Sequence, residues 1–107
     1  MPYVPSFDNA VNKKFVEAYK AAYGELPNNN AAAGFEELTI ITNAIKTAGK
    51  ADPEAIRDAI ANSTTPGPSG DIKFNEKGQG YGFTVFLTRN KNAEPVVEAT
   101  ALIAKPN

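Results

Sequence analysis

The amino-acid sequence predicts an α/β chain, three helices followed by β-strands, and three observations carry that prediction. Apolar residues recur at three- and four-residue intervals in three successive stretches between Asp8 and Ile60. From Ile72 to Ile103 they alternate with other residues, the period of a half-buried strand. Gly, Pro, Asn and Ser cluster between these stretches, where helices stop and hairpins turn.

The first helix starts at Asp8, a good N-cap. Val11, Phe15, Ala18, Tyr19 and Ala22 follow on one side until Gly24 ends it. Its other surface carries Lys13, Lys14, Glu17 and Lys20, a mixed-sign solvated face. Glu25 to Asn30 reads as a connector, because Pro27 interrupts helix and Asn tolerates turns. The second helix begins near Asn30. Its wide stripe of Ala33, Phe35, Leu38, Ile41, Ala44, Ile45 and Ala48, broadened by Ile40, predicts the most buried helix, ended by Gly49. The third opens at Asp52-Pro53-Glu54, with an N-cap, a proline at the first helical position and an acid at the positive end of the dipole; Ile56 and Ile60 mark its inner face.

Asn62 to Gly70, rich in Ser, Thr, Pro and Gly, predicts a loop. Ile72 and Phe74 then form a strand that turns through Gly78-Gln79-Gly80 into a second, with Tyr81, Phe83, Val85 and Leu87 on one face. After a turn at Arg89-Asn90-Lys91-Asn92, residues 95–105 predict a last strand with Val97, Ala99, Ala101 and Ile103 on one side.

Composition excludes several functions. The chain has 107 residues and a net charge of -1, so it has no basic excess to neutralise phosphates, and nucleic acid is not an expected partner. It has neither Cys nor His, which removes disulfides, thiolate nucleophiles, histidine-dependent triads and the usual zinc ligands. The expectation is a protein that is not an enzyme and uses no metal or cofactor. No stretch predicts membrane insertion, and Met1-Pro2-Tyr3-Val4-Pro5 does not resemble a signal peptide.

Other features read as structural. Gly78-Gln79-Gly80 lies between strands, whereas a phosphate cradle joins a strand to a helix. Asn62-Ser63-Thr64 matches a glycosylation sequon but reads as a helix exit. Glu36 and Glu37 are neighbours on a helix facing different directions, so both are expected in solvent, and Asp71 is expected at a turn or strand edge. Tyr19, Tyr23, Tyr81 and Phe83 are expected to pack rather than to stack on a ligand.

Several pieces, in order, carry a family resemblance. They are Asp8-Asn9 before the helix ending Tyr19-Lys20-Ala21-Ala22-Tyr23-Gly24, the start Ala31-Ala32-Ala33-Gly34-Phe35-Glu36, the helix 52–60, and Gly70-Asp71-Ile72-Lys73-Phe74-Asn75-Glu76-Lys77-Gly78. Together they resemble the C-terminal portion of the type I periplasmic binding proteins, which capture branched-chain amino acids and related solutes for ABC importers. The family pattern has Asp where this chain has Asn75, and a small residue where it has Glu37.

The resemblance implies a C-terminal fragment of a periplasmic-binding-protein-like I fold, with residues 1–107 a single partial domain of a two-lobed protein. It implies a substrate-binding component of an ABC importer, periplasmic or extracytoplasmic, partnered in full length by an amino-acid-like solute and an ABC permease. The family's main solute contacts come from earlier in its chain. Asn30 is the one position nominated here for ligand binding, since the connector before the second helix lies toward the cleft in the family; the alternative is that Asn30 merely caps the helix. Two further readings stand beside this one. The chain is a stand-alone interaction module that homo-oligomerises through its apolar helices, or it is a ligand-sensing regulator or enzyme on the same fold.

Overall fold

A computed structural model describes all residues from Met1 to Asn107. Three helices, α1 (Ala10–Tyr23), α2 (Asn29–Ala48) and α3 (Pro53–Ala61), precede four strands, β1 (Thr65–Gly67), β2 (Gly70–Phe74), β3 (Gly80–Lys91) and β4 (Glu94–Leu102). The strands form one antiparallel sheet in chain order. None of the helices is long and apolar enough to cross a membrane.

Local chemistry sets most of the boundaries. Asn9, not Asp8, caps α1, its Oδ1 accepting from the Asn12 N–H at 3.0 Å. Asp8 instead pairs with Lys13 at 2.6 Å, which holds its carboxyl below the usual range. Asp52 caps α3 by accepting from the Ala55 N–H at 3.0 Å, ahead of Pro53. Gly24 and Gly49 end α1 and α2 in the left-handed conformation, at φ 74° and 70°. Asn62 donates its side-chain amide to the Asp58 carbonyl, so the sequon triplet is indeed a helix exit.

The β-region is more regular than the sequence predicts. Within the expected loop 62–70, Thr65–Gly67 pairs with β2, leaving Pro66 exposed while Thr65 and Gly67 are buried. Pro66 fits because it lies on an edge strand, where its missing N–H disturbs no ladder. The β2–β3 turn is held by Asn75, whose Oδ1 accepts from the N–H groups of Lys77 and Gln79 at 3.0 and 2.9 Å. The next turn lies one step beyond the predicted cluster, at Asn92 and Ala93, with φ 51° and 63°. Two consecutive left-handed residues make the tight hairpin whose twist matches its strands.

Two predicted faces are corrected. On β3 the buried residue is Phe86, packed edge-on against Phe7 at 4.9 Å, while Leu87 is 64% exposed. Residues 1–7 account for this: the Phe86 N–H donates to the Met1 carbonyl at 2.8 Å, so the start of the chain lies along β3 on the side of Phe86. A register shift at Leu87/Thr88 also breaks the simple alternation. On β4 and just past it, Val97 and Ile103 are half-buried but Ala99 and Ala101 are exposed, because this strand packs mainly on β3.

The larger correction concerns α2, predicted to be the most buried helix. Only Ala32 and Ala44 are buried on it; Leu38 is 69% and Ile41 45% exposed, and Phe35 and Ile45 are open too. The stripe is real, but the rest of these 107 residues covers only its edges, at Ala44 and beside Phe35. The principal core is small, Tyr3, Phe15 and Ala32 with Val16, Tyr19 and Ala31 beside them. Phe35 meets Phe15 at 4.7 Å from the rim. Tyr19 is half-buried but Tyr23, expected to pack, is 69% exposed.

Candidate functional site

Asn30 is the second residue of α2, with an exposed side chain. The cap is Asn28, whose Oδ1 accepts from the Ala31 N–H at 2.9 Å, so Asn30 does not cap the helix. Buried Pro27 and the aromatic contacts of Phe15 with Phe35 fix where this helix end lies. The free N–H groups of the first turn and the positive end of the dipole suit a carboxylate. No charged side chain converges on them, and Asn30 lines neither of the two largest apolar concavities.

The larger concavity is an open groove of about 980 Å³ between α2, α3 and the β2–β3 turn. Ile41, Ile56, Ile60 and Phe74 make it apolar, and Arg57 and Glu76 stand at it. Arg57 is turned to Asp58 at 3.1 Å, leaving no set of polar groups that would orient a free amino acid. The smaller, about 440 Å³, runs along α1 beside Phe15, Tyr19, Tyr23 and Phe35. The structure contains no group of three or more His, Cys, Asp or Glu that could hold a metal ion.

Glu36 departs from the sequence expectation of a solvated carboxylate. It is half-buried, and its Oε1 is covered with no hydrogen-bond partner. It sits against Gly67 of β1 so closely that a Cβ there would strike Oε1. Burial, and then the neighbouring charge of Glu37, push its pKa up from 4.5 to about 7. The readable signal was that Glu36 stands four residues from Ala32, one turn along the same buried side of α2. Glu37, by contrast, is exposed as expected.

The raised pKa makes stability depend on pH with a definite sign. The folded state binds this proton more tightly than the unfolded chain, so Glu36 is without penalty below about pH 4.5 and increasingly destabilising as pH rises to about 7. With one side of the residue open to solvent, the loss is about 1–2 kcal/mol. Urea titrations at pH 4.5 and 7.5 are expected to show this fall in wild type, and Glu36→Gln is expected to remove most of it. An unchanged pH dependence in that variant would place the titrating group elsewhere.

Three helices followed by an antiparallel sheet in this order recur in part of the periplasmic-binding-protein type I fold. A family model described as periplasmic binding protein matches residues 1–94. A leucine-, isoleucine-, valine-, threonine-, and alanine-binding protein of Pseudomonas aeruginosa is 32% identical over 77 residues, covering 70% of this chain and 21% of its own. The crystal structure of a leucine binding protein from Thermotoga maritima matches with a TM-score of 0.81 and 34% identity, over 94% of this chain and 29% of that one. A solute binding protein of an ABC transporter from R. palustris, in complex with benzoate, shares the fold over the whole chain, with a TM-score of 0.88 at 24% identity and 30% of its own length.

The chain belongs to the periplasmic binding protein family. It has the periplasmic-binding-protein type I fold over a part of that fold, and spans about a fifth of the curated relative and under a third of the solved structures.

Proposed function

We propose that the chain is the C-terminal portion of the substrate-binding component of an ABC importer for branched-chain amino acids or related small solutes. In this reading residues 1–107 are one partial domain, working outside the cytoplasm with a permease as partner, and acting by binding rather than catalysis. The observation that carries it is the likeness, at 34% identity across 94% of the chain, to a leucine binding protein. The open α2 face supports it: a stripe selected for burial but left in water fits a segment shaped to lie against more protein than the chain contains. Asn30 is the residue of this chain proposed to reach the solute, from the helix end that would favour a carboxylate. The isolated chain is proposed to bind solute weakly if at all and to associate with itself through its uncovered helices.

A chimera tests the assignment. The 107 residues replace the matching portion of the Thermotoga maritima leucine binding protein, and leucine is titrated calorimetrically into the chimera and into the isolated chain. Saturable one-to-one binding is expected for the chimera and not for the chain. Asn30→Ala in the chimera is expected to weaken leucine about tenfold, the loss of one hydrogen bond to a charged group. Micromolar binding by the isolated chain, or a folded chimera blind to leucine, contradicts the assignment; an unchanged affinity in Asn30→Ala removes Asn30 alone.

A further inference from the structure

We infer that Glu36 and Gly67 form a proton-operated clasp between α2 and β1, closed while the Glu36 carboxyl is protonated and released when it ionises. The contact holds two layers together, because the sheet meets α1 and α2 mainly at β1, and α3 at β2. β1 is a three-residue edge strand that pairs with β2 alone, with Thr65, Pro66 and Gly67 opposite Ile72, Asp71 and Gly70. So short a ladder holds weakly by itself, and the support beneath β1 decides whether it stays closed.

The clasp is built by fit. Gly67 is not among the glycines with positive φ, so its backbone could carry any L side chain. What excludes one is Glu36: a Cβ on Gly67 would fall on Oε1 and 3.2 Å from Cδ. The carboxyl therefore fills the place of a side chain at residue 67, with Oε1 covered and without a hydrogen bond. A neutral carboxyl tolerates that place far better than a charged one does.

Nothing nearby offsets the charge. Thr65, Pro66 and Gly67 carry none, nor do Pro68 and Ser69 in the turn that follows. Asp71 and Lys73 on β2 are exposed, as are Lys13, Lys14, Glu17 and Lys20 on α1. The neighbouring charge that acts on Glu36 is Glu37, of the same sign, and with burial it places the titration at about 7. Because the folded-state value is raised, the clasp is closed below about pH 6 and released as pH rises to about 8. Ionisation draws the carboxylate to the side of Glu36 already open to solvent and leaves a gap beside Gly67. The release is confined to Thr65–Gly67. Just beyond, the Ser69 hydroxyl donates to the Pro2 carbonyl at 2.9 Å, and the Ser69 carbonyl accepts from the Thr84 N–H at 2.7 Å.

Hydrogen exchange of the 107-residue chain, corrected for the intrinsic pH dependence of amide exchange, tests the clasp. Between pH 6 and 8 the ionised fraction rises about tenfold. Protection of the β1–β2 amides is expected to fall by a similar factor, while the β3–β4 ladder from Val85 to Lys91 changes far less. Glu36→Gln, neutral at every pH and of the same size, is expected to keep β1 protected throughout. Glu37→Gln, which removes the like charge, is expected to move the midpoint to lower pH. The carbon-13 shift of the Glu36 carboxyl follows ionisation in the same samples. The clasp is overturned if that carboxyl titrates while β1 protection stays constant, since the side chain then swings out without freeing the strand. It is overturned equally by a pH dependence that survives Glu36→Gln, by a midpoint that does not fall in Glu37→Gln, or by equal loss from all four strands, which is global unfolding. No solute enters the measurement, so its outcome is independent of the receptor assignment.

Discussion

Replacing Asn12 by alanine is expected to cost about 3 kcal/mol, enough to unfold much of a marginal chain. Asn12 is fully buried, at 0% exposure, yet polar. Its amide donates to the Pro5 and Phe7 carbonyls at 3.0 and 2.9 Å, and its Oδ1 accepts from the Tyr3 hydroxyl at 3.0 Å. One side chain therefore ties α1 to the segment 3–7, which lies along β3. Truncation leaves the Pro5 carbonyl and the Tyr3 phenol without their partner, takes one of two donors from the Phe7 carbonyl, which keeps the Asn9 N–H, and adds a small cavity. Burial pushes the Tyr3 hydroxyl up to about 12, so it stays a neutral donor throughout the usual pH range. Urea unfolding of Asn12→Ala against wild type measures the loss. A change below about 1 kcal/mol would mean that solvent reaches these groups and that the knot is not structural.

Gly82→Ala is expected to be comparably severe, about 3 kcal/mol, for a backbone reason. Gly82 has φ 90°, a conformation that L residues rarely adopt, and a Cβ there would stand 2.5 Å from the Asp71 carbonyl oxygen of the paired strand. Gly70 approaches from the opposite side with φ 122°, where β2 and β3 shift register. The two glycines let the strands pass closer than side chains permit. Hydrogen exchange is the discriminating measurement. Loss of amide protection is expected first in β1 and β2, which depend on this crossing, while the far end of the β3–β4 hairpin keeps its own ladder from Val85 to Lys91. Wild-type protection in β2 would show that the backbone relaxes without penalty.

Both residues show what a sequence conveys poorly. Asn12 stands beside Val11 and Lys13 in an amphipathic helix, and nothing in the periodicity separates a buried asparagine from a solvated one. Its partners are carbonyls five and seven residues earlier, positioned only when the start of the chain folds back. Residues 1–7 carried no helix or strand pattern, yet Tyr3 and Val4 are among the most buried residues. Gly82, within an alternating run, likewise gave no sign of its register shift. The candidate site divides in the same way. That a helix would start near Asn30 was legible from Pro27 and the asparagines. That Asn28 supplies the cap and Asn30 is left exposed depends on where the connector leaves the helix, within a residue or two.

The sequence by itself determined the order of three helices and paired strands, the glycine ends of α1 and α2, the Asp52 start of α3 and a glycine-containing turn between Phe74 and Tyr81. Each is decided by residues within one turn of one another, so the neighbours that specify it are adjacent in the chain. The tertiary structure alone decided that Glu36 is covered by β1, that Phe86 faces residues 1–7 and that the apolar stripe of α2 is left open. Those outcomes depend on surfaces brought from distant positions or never brought at all. Periodicity shows which face of a helix favours burial, but only the assembled molecule shows whether anything is there to bury it.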